Sequence, residues 1–159
     1  MPTSSHRIGL ISDTHGLVRP AVHEALNGVE LILHAGDVGG SEILDELRVI
    51  APVRAVYGNT DPPGHPELSE SIHLEIGGLR IHVSHGDEVG SPTPERLAAR
   101  YDTDVVVYGH SHKQLVTRLN GQLFVNPGAA GPRRFKLPAS VGIMTIADGT
   151  AEVRIVDIA

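Results

Sequence analysis

Ile8-Gly9-Leu10-Ile11-Ser12-Asp13-Thr14-His15 decides the fold: a short, almost continuously apolar run ends in a carboxylate and an imidazole one residue apart. Runs of this kind are the pattern of strands covered on both faces, and the pattern returns at residues 29–33 and 53–57. Helices alternate with them. Val18, Val22, Ala25 and Leu26 recur at helical spacing with Pro20 near the first turn, and Ser41 is placed to cap a helix carrying Ile43, Leu44, Leu47 and Ile50. The first third therefore reads βαβαβ. Further on, Gly77-Gly78, Asn120-Gly121 and Asp148-Gly149 each separate alternating apolar segments, the mark of tight hairpin turns, so antiparallel strands are expected to dominate the second half. A helix over 95–101 leads into a buried strand at 105–108. Together these elements predict an α/β chain of two sheets with outer helices. Residues 61–66 form the stiffest loop and 131–138 a surface excursion, but neither marks a boundary, so residues 1–159 read as a single domain.

The composition excludes several classes. A hydrophobic share of 40% and a charged share of 20% are ordinary globular values. The absence of cysteine removes disulfides and thiolate zinc sites, and fits a cytoplasmic location. The polar first residues and the short apolar run after them are neither a signal-peptide core nor a span, so no membrane partner is expected. A net charge of -6 and an aromatic content of 3% argue against long nucleic acid as a partner.

Five clusters close apolar runs: Asp13-Thr14-His15, Gly36-Asp37, Gly58-Asn59-Thr60-Asp61, Ser84-His85-Gly86 and Gly109-His110-Ser111-His112. Each alone is an ordinary turn or a structural histidine. Five in succession are hard to produce by turn chemistry, and their carboxylate, amide and imidazole groups suit divalent cations. Asp13 and His15 can project to the same side of an extended turn, as can His110 and His112. Asp37, with two oxygens, is the natural bridge between two cations. Asn59 supplies a neutral oxygen and His85 a nitrogen. The remaining histidines, His6, His23, His34, His65, His73 and His82, read as surface or structural groups, with His34 close enough in sequence to Asp37 to support it.

Taken in order and spacing, Asp13-Thr14-His15, Gly36-Asp37, Gly58-Asn59, His85-Gly86 and Gly109-His110-Ser111-His112 resemble the calcineurin-like metallophosphoesterase superfamily. The likeness is to its small bacterial and archaeal phosphodiesterase branch and runs from Ile8 to about Asn126-Pro127-Gly128. It implies a four-layer αββα sandwich of two mixed sheets. It also implies one metal on Asp13, His15, Asp37 and His112, and a second on Asp37, Asn59, His85 and His110. Asp37, Asn59 and His85 become the catalytic group, and Asn59 with Thr60 the substrate contacts. Manganese is the first choice of cation, with nickel, iron, zinc or magnesium as alternatives. Many relatives carry histidine where Thr60 stands and often where Asp87 stands, and serine where Ala129 stands. Thr60 cannot be a general acid near neutral pH, which leaves water, the metals' surroundings, Asp61 or His65 to protonate the leaving group. Arg133 and Arg134 are candidate anion contacts.

The activity this implies is attack on a small phosphodiester by a hydroxide bridging two cations, with activity falling below about pH 6.5 as histidine ligands protonate. Two other readings share the fold: a non-catalytic scaffold, as in a retromer subunit, and a phosphomonoesterase or nuclease. Homo-oligomerisation is a family expectation.

Overall fold

Branched apolar residues extend where both faces find cover, and the first such run forms β1 (Ser5–Ile11), with β2 (Leu31–His34) parallel beside it and β3 (Val53–Val56) parallel beside β2. The computed structural model describes residues 5–62, 64–132 and 136–158. A short β4 (Leu68–Ser69), not expected from sequence, extends this sheet parallel to β3. The other side of β1 is taken by a hairpin from the far end of the chain, β10 (Ser140–Ala147) and β11 (Thr150–Asp157), giving the order β11-β10-β1-β2-β3-β4. The register pairs Ile8 with Met144 and Leu10 with Gly142.

The second sheet has the order β5-β6-β7-β9-β8, built from β5 (Ser71–Ile76), β6 (Leu79–Ser84), β7 (Val105–Val107), β8 (Leu115–Leu119) and β9 (Gln122–Asn126). All three expected hairpin turns are present, since β5–β6, β8–β9 and β10–β11 pair antiparallel. With β1–β10 also antiparallel, that pairing dominates the second half as expected, while β6–β7 and β7–β9 are parallel. The all-valine β7 is buried on both faces, the condition under which a central parallel strand is stable.

Three apolar clusters separate four layers. One packs α1 (Pro20–Ala25) and α2 (Ser41–Arg48) on the first sheet through Val22, Leu26, Leu44, Leu47 and Ile32. The second lies between the sheets and contains Ile8, Leu10, Leu33, Ile81, Val83, Val105, Val107 and Met144. The third packs α3 (Pro94–Ala98) on the second sheet through Leu97, Val106, Tyr108 and Phe124. This is the four-layer αββα sandwich, with alternation along each strand dividing its side chains between layers.

Three local expectations shift. Ser41 is the first helical residue, and Gly40 stands at the cap with no side-chain hydrogen bond. The second strand starts at Leu31, not residue 29, because Val29 still closes the turn after α1 by donating to the Leu26 carbonyl at 3.3 Å. α3 is shorter than 95–101; Thr93 caps it, its hydroxyl accepting the Arg96 N–H at 3.2 Å. The parallel strands of each sheet run in one direction, so the loops after β1, β2 and β3, and those after β6 and β7, collect at common edges.

Candidate metal centre

Five of the seven candidate ligands adopt a left-handed backbone: Asp13 (φ 53°), His15 (φ 45°), Asp37 (φ 56°), His110 (φ 73°) and His112 (φ 64°). For residues with a Cβ this conformation costs free energy and persists only where surrounding contacts impose it. Here the loops hold one another. Asp13 N–H donates to the Gly36 carbonyl at 2.9 Å, His15 N–H to Asp37 at 3.0 Å and Gly16 N–H to Val38 at 3.0 Å. At the edge of the second sheet, Gly109 N–H donates to the His85 carbonyl at 2.9 Å. Two glycines permit the approach: a Cβ on Gly58 would lie 2.1 Å from Asp37 Oδ1, and one on Gly109 would lie 2.0 Å from Ser12 Oγ.

Each of the two carboxylates is pinned by one oxygen and presents the other. Asp13 Oδ2 accepts the Ser12 hydroxyl at 2.6 Å and the His110 N–H at 3.2 Å. Its Oδ1 is buried without a hydrogen-bond partner among the described residues, and lies 3.4 Å from His112 Nε2 and 3.7 Å from His15 Nε2. Asp37 Oδ1 accepts the Thr60 N–H at 2.9 Å. Its Oδ2 lies 3.3 Å from His85 Nε2 and 3.7 Å from His15 Nε2, so a single oxygen faces both groups of histidines.

The second group gathers oxygen and nitrogen ligand atoms from four loops. His85 Nδ1 lies 2.8 Å from the Ala35 carbonyl, which can only accept, so Nδ1 carries the ring hydrogen and Nε2 presents its lone pair in the neutral ring. That Nε2 meets Asn59 Oδ1 at 2.9 Å, and His110 Nδ1 lies 3.1 Å from the same oxygen and 3.3 Å from His85 Nε2. Asp37 Oδ2, Asn59 Oδ1 and two imidazole nitrogens thus converge on one place. Without a cation, a proton takes that place. Burial works to lower the His85 pKa, but its bond to Asp37 and the charges of Asp13 and Asp37 outweigh burial and raise it to about 9. Burial works to raise Asp37, yet contact with His85 and the Thr60 N–H and hydroxyl hold it well below the usual carboxylate range. The oxygen and nitrogen donors, the partnerless Asp13 oxygen and the acceptor cluster fit divalent cations.

The surrounding residues divide between support and surface. His34 is not among the converging atoms: its Nδ1 accepts the Gly36 N–H at 3.1 Å, so its Nε2–H donates to the Thr14 hydroxyl at 3.0 Å, and that hydroxyl donates to Val38 at 2.7 Å. Burial pushes its pKa down to about 4, keeping the ring neutral. Asp61 does not face the site as a proton donor. It is buried and accepts three backbone N–H groups, Val38 and Gly58 at 2.9 Å and Gly39 at 3.1 Å, tying the Asp37 loop to the Asn59 loop. His65 turns inward on its own loop, its Nδ1 accepting the Glu67 N–H at 3.1 Å. Thr60 has an exposed side chain beside Asp37, Asp87 is exposed and Ala129 buried. His6 and His23 pair at 3.1 Å with Glu30 and Glu46. Arg133 and Arg134 lie outside the described residues. The roles of Ser12 and Asp61 were missed in the sequence; Asp61, three positions after Gly58, carries a turn-type signal, while Ser12 carries none.

Residues 7–149 match the model of the calcineurin-like phosphoesterase superfamily domain. A probable metallophosphoesterase of Methanothermobacter thermautotrophicus is 36% identical over 142 residues, covering 83% of this chain and 81% of the relative. A phosphodiesterase of Methanocaldococcus jannaschii is 27% identical over 140 residues, covering 77% and 82%. Among solved structures, vacuolar protein sorting 29 from Cryptosporidium parvum superposes with a TM-score of 0.81 at 26% identity, covering 98% of each chain. No helix among the described residues is long and apolar enough to cross a membrane. With the family model spanning most of its length and a relative of this similarity, the chain belongs to the calcineurin-like phosphoesterase superfamily.

Proposed function

We propose that this protein is a phosphodiesterase with a dinuclear metal centre, in which Asp13, His15, Asp37 and His112 hold one cation and Asp37, Asn59, His85 and His110 the other. The observation that carries it is the convergence of Asp37 Oδ2, Asn59 Oδ1, His85 Nε2 and His110 Nδ1, four oxygen and nitrogen ligand atoms brought within a few ångströms by four separate loops. Divalent cations bound there supply an activated water nucleophile and neutralise phosphoryl oxygens. Manganese suits a set of carboxylate, amide and imidazole groups without thiolate, with nickel, iron, zinc or magnesium as alternatives.

The chain's own residues do the rest. Ala35 and Asp61 are static anchors: the Ala35 carbonyl fixes the His85 tautomer, and Asp61 fixes the spacing of Asp37 and Asn59. The Asp37 oxygen facing both histidine groups sets the distance between the two halves. Asn59 and Thr60 stand at the open side, where a phosphoryl oxygen would enter. Thr60 lacks the acidity to give a proton to a departing alcohol, and Asp61 and His65 accept backbone N–H groups, so esters of acidic alcohols should react best. Two carboxylates and a hydroxide leave two divalent cations with a single net positive charge, which a monoanionic diester balances better than a monoester dianion.

The test is hydrolysis of bis(p-nitrophenyl) phosphate and p-nitrophenyl phosphate by metal-stripped protein, before and after manganese is restored, beside Asp37→Asn and His85→Ala. Turnover of the diester that appears only with metal and only in the unsubstituted protein is expected. Equal turnover in all samples, or preference for the monoester, would overturn the reading. The likeness to vacuolar protein sorting 29 supports a second reading, a scaffold, and metal binding without any ester hydrolysis would favour it.

A further inference from the structure

β6 divides its side chains between two layers. Ile81 and Val83 face the other sheet, while His82 and Ser84 face α3 and lie 1% exposed. Polar groups so deeply buried are kept only when satisfied, and these two belong to a chain of hydrogen bonds ending on Glu88, in the 3₁₀ turn Asp87–Val89. Its direction is fixed from the carboxylate end. The Ser84 hydroxyl donates to Glu88 Oε2 at 2.5 Å, so Ser84 accepts from His82 Nε2–H at 2.9 Å, and His82 Nδ1 accepts from His73 Nε2–H at 2.7 Å. The Tyr101 hydroxyl donates to the same Glu88 oxygen at 2.7 Å, and the Tyr101 ring stacks on His82 with centroids 3.7 Å apart. The other oxygen, Oε1, accepts the Gly86 N–H at 2.9 Å.

We propose that Glu88 is a positioning residue for the metal centre: by holding Gly86 N–H against the Ser84–Tyr101 network, it fixes where His85 and His110 present their nitrogens. The inference rests on the dinuclear reading above. Gly86 follows His85 directly and sits in a left-handed conformation (φ 105°). The His85 carbonyl accepts Gly109 N–H at 2.9 Å, and Gly109 precedes His110. A shift of the 85–86 peptide therefore moves both imidazoles of one cation site together. The other site has anchors of its own, with Asp13 held by the Ser12 hydroxyl and the 13–16 loop zipped to 36–38, and it meets the first where Asp13 accepts the His110 N–H. Burial works to raise the Glu88 pKa, but the Ser84 and Tyr101 hydroxyls and the Gly86 N–H hold it below the usual range, so the carboxylate is ionised. Burial pushes His82 down to about 4, which keeps that ring neutral, as the donor direction requires.

Glu88→Gln tests this with nearly unchanged shape. Glutamine has one acceptor oxygen for three converging donors, and its amide hydrogens would face one of them. The experiment is manganese titration into metal-stripped full-length protein, followed by calorimetry and by electron paramagnetic resonance, which distinguishes an isolated Mn²⁺ from a coupled pair. The unsubstituted protein should bind two ions and show the coupled signal. Glu88→Gln should bind one ion with unchanged affinity and the second about 10–100-fold more weakly, the usual range for groups that orient metal ligands, and show an isolated-ion signal at low loading. Tyr101→Phe removes one of the three donors and should weaken the same ion by a smaller factor, so it decides the matter if the glutamine variant does not fold. Two ions bound by Glu88→Gln as in the unsubstituted protein, or both weakened alike, would overturn the positioning role while leaving the dinuclear reading intact. No uptake of manganese by the unsubstituted protein would overturn both.

Discussion

Two sets of residues share a left-handed backbone for opposite reasons. Asn120 (φ 50°) and Asp148 (φ 54°) precede Gly121 (φ 83°) and Gly149 (φ 71°) in hairpin turns, where consecutive positive φ angles are what the strand twist demands. Their sequence partner is the next residue, and the conformation is a local solution. Asp13, Asp37, His110 and His112 adopt the same conformation outside any hairpin, in loops held by others from elsewhere in the chain, while His15, followed by Gly16 at φ 82°, also closes a turn in which Leu17 N–H donates to the Thr14 carbonyl. At Asp13 and Asp37 the bonds that hold the backbone come from other loops, so the strain there is imposed by tertiary contacts and serves the direction in which side chains point. One set of positive φ angles builds the fold; the other aims ligands.

Substitutions at the ligand set should separate chemistry from folding most sharply. Asp37→Asn removes the charge of the oxygen that faces both histidine groups, and metal-dependent diester turnover should fall on the order of a thousandfold, the scale of several kcal/mol of lost charge stabilisation. Circular dichroism should be unchanged. Turnover within a few fold of the unsubstituted protein would remove Asp37 from its central place.

The contacts that impose the strain come next. Gly58→Ala would drive a methyl group onto Asp37 Oδ1, and Asp61→Asn would turn amide hydrogens toward one or more of the three backbone N–H groups it now accepts. Each should cost about 1–3 kcal/mol by thermal or urea unfolding, and each should lower metal affinity as well. A loss of stability with metal affinity intact would show that these loops are shaped for folding alone.

The comparison explains what the sequence made legible. Strand positions, hairpin turns and two sheets with outer helices follow from periodicity and turn chemistry, and those are local, whereas the four-layer order came from the family resemblance. The seven candidate ligands were visible because each closes an apolar run, although their convergence depends on the parallel order of strands within each sheet. What stayed hidden is the support: Asp61 reaching back to Val38 and Gly39 in another loop, and Ser12 fixing Asp13 and the His82–Ser84–Glu88 chain, which join near neighbours through side-chain directions that residue types alone do not specify. Ser41 misled because a good capping residue sits beside Gly40, whose φ of 135° suits it to the cap itself.

Acidity should move the metal-free protein in both directions. His85 has a folded pKa of about 9, above its ordinary 6.5, so its contribution to stability is complete below pH 6.5 and is lost as pH rises through 9. His34 and His82 are lowered to about 4, so their contribution is complete above pH 6.5 and is lost as pH falls toward 4. Melting temperature of the stripped protein should therefore peak near pH 6.5. Metal binding must displace the His85 proton, so affinity should climb from pH 6 to 9; affinity independent of pH across that range would contradict the ligand role of His85.

The smallest effect belongs to the local set. Asn120→Ala should cost about 1 kcal/mol by urea unfolding and leave metal affinity and turnover unchanged, because its left-handed conformation serves only its turn. An equal effect on metal binding would erase the distinction between the two sets.

The most direct measurement is anomalous diffraction at the manganese edge from crystals grown with the ion. Two peaks about 3.5–4 Å apart are predicted, on either side of Asp37 Oδ2, one among Asp13, His15 and His112 and the other among Asn59, His85 and His110. A single peak, or manganese bound anywhere else, would contradict the account.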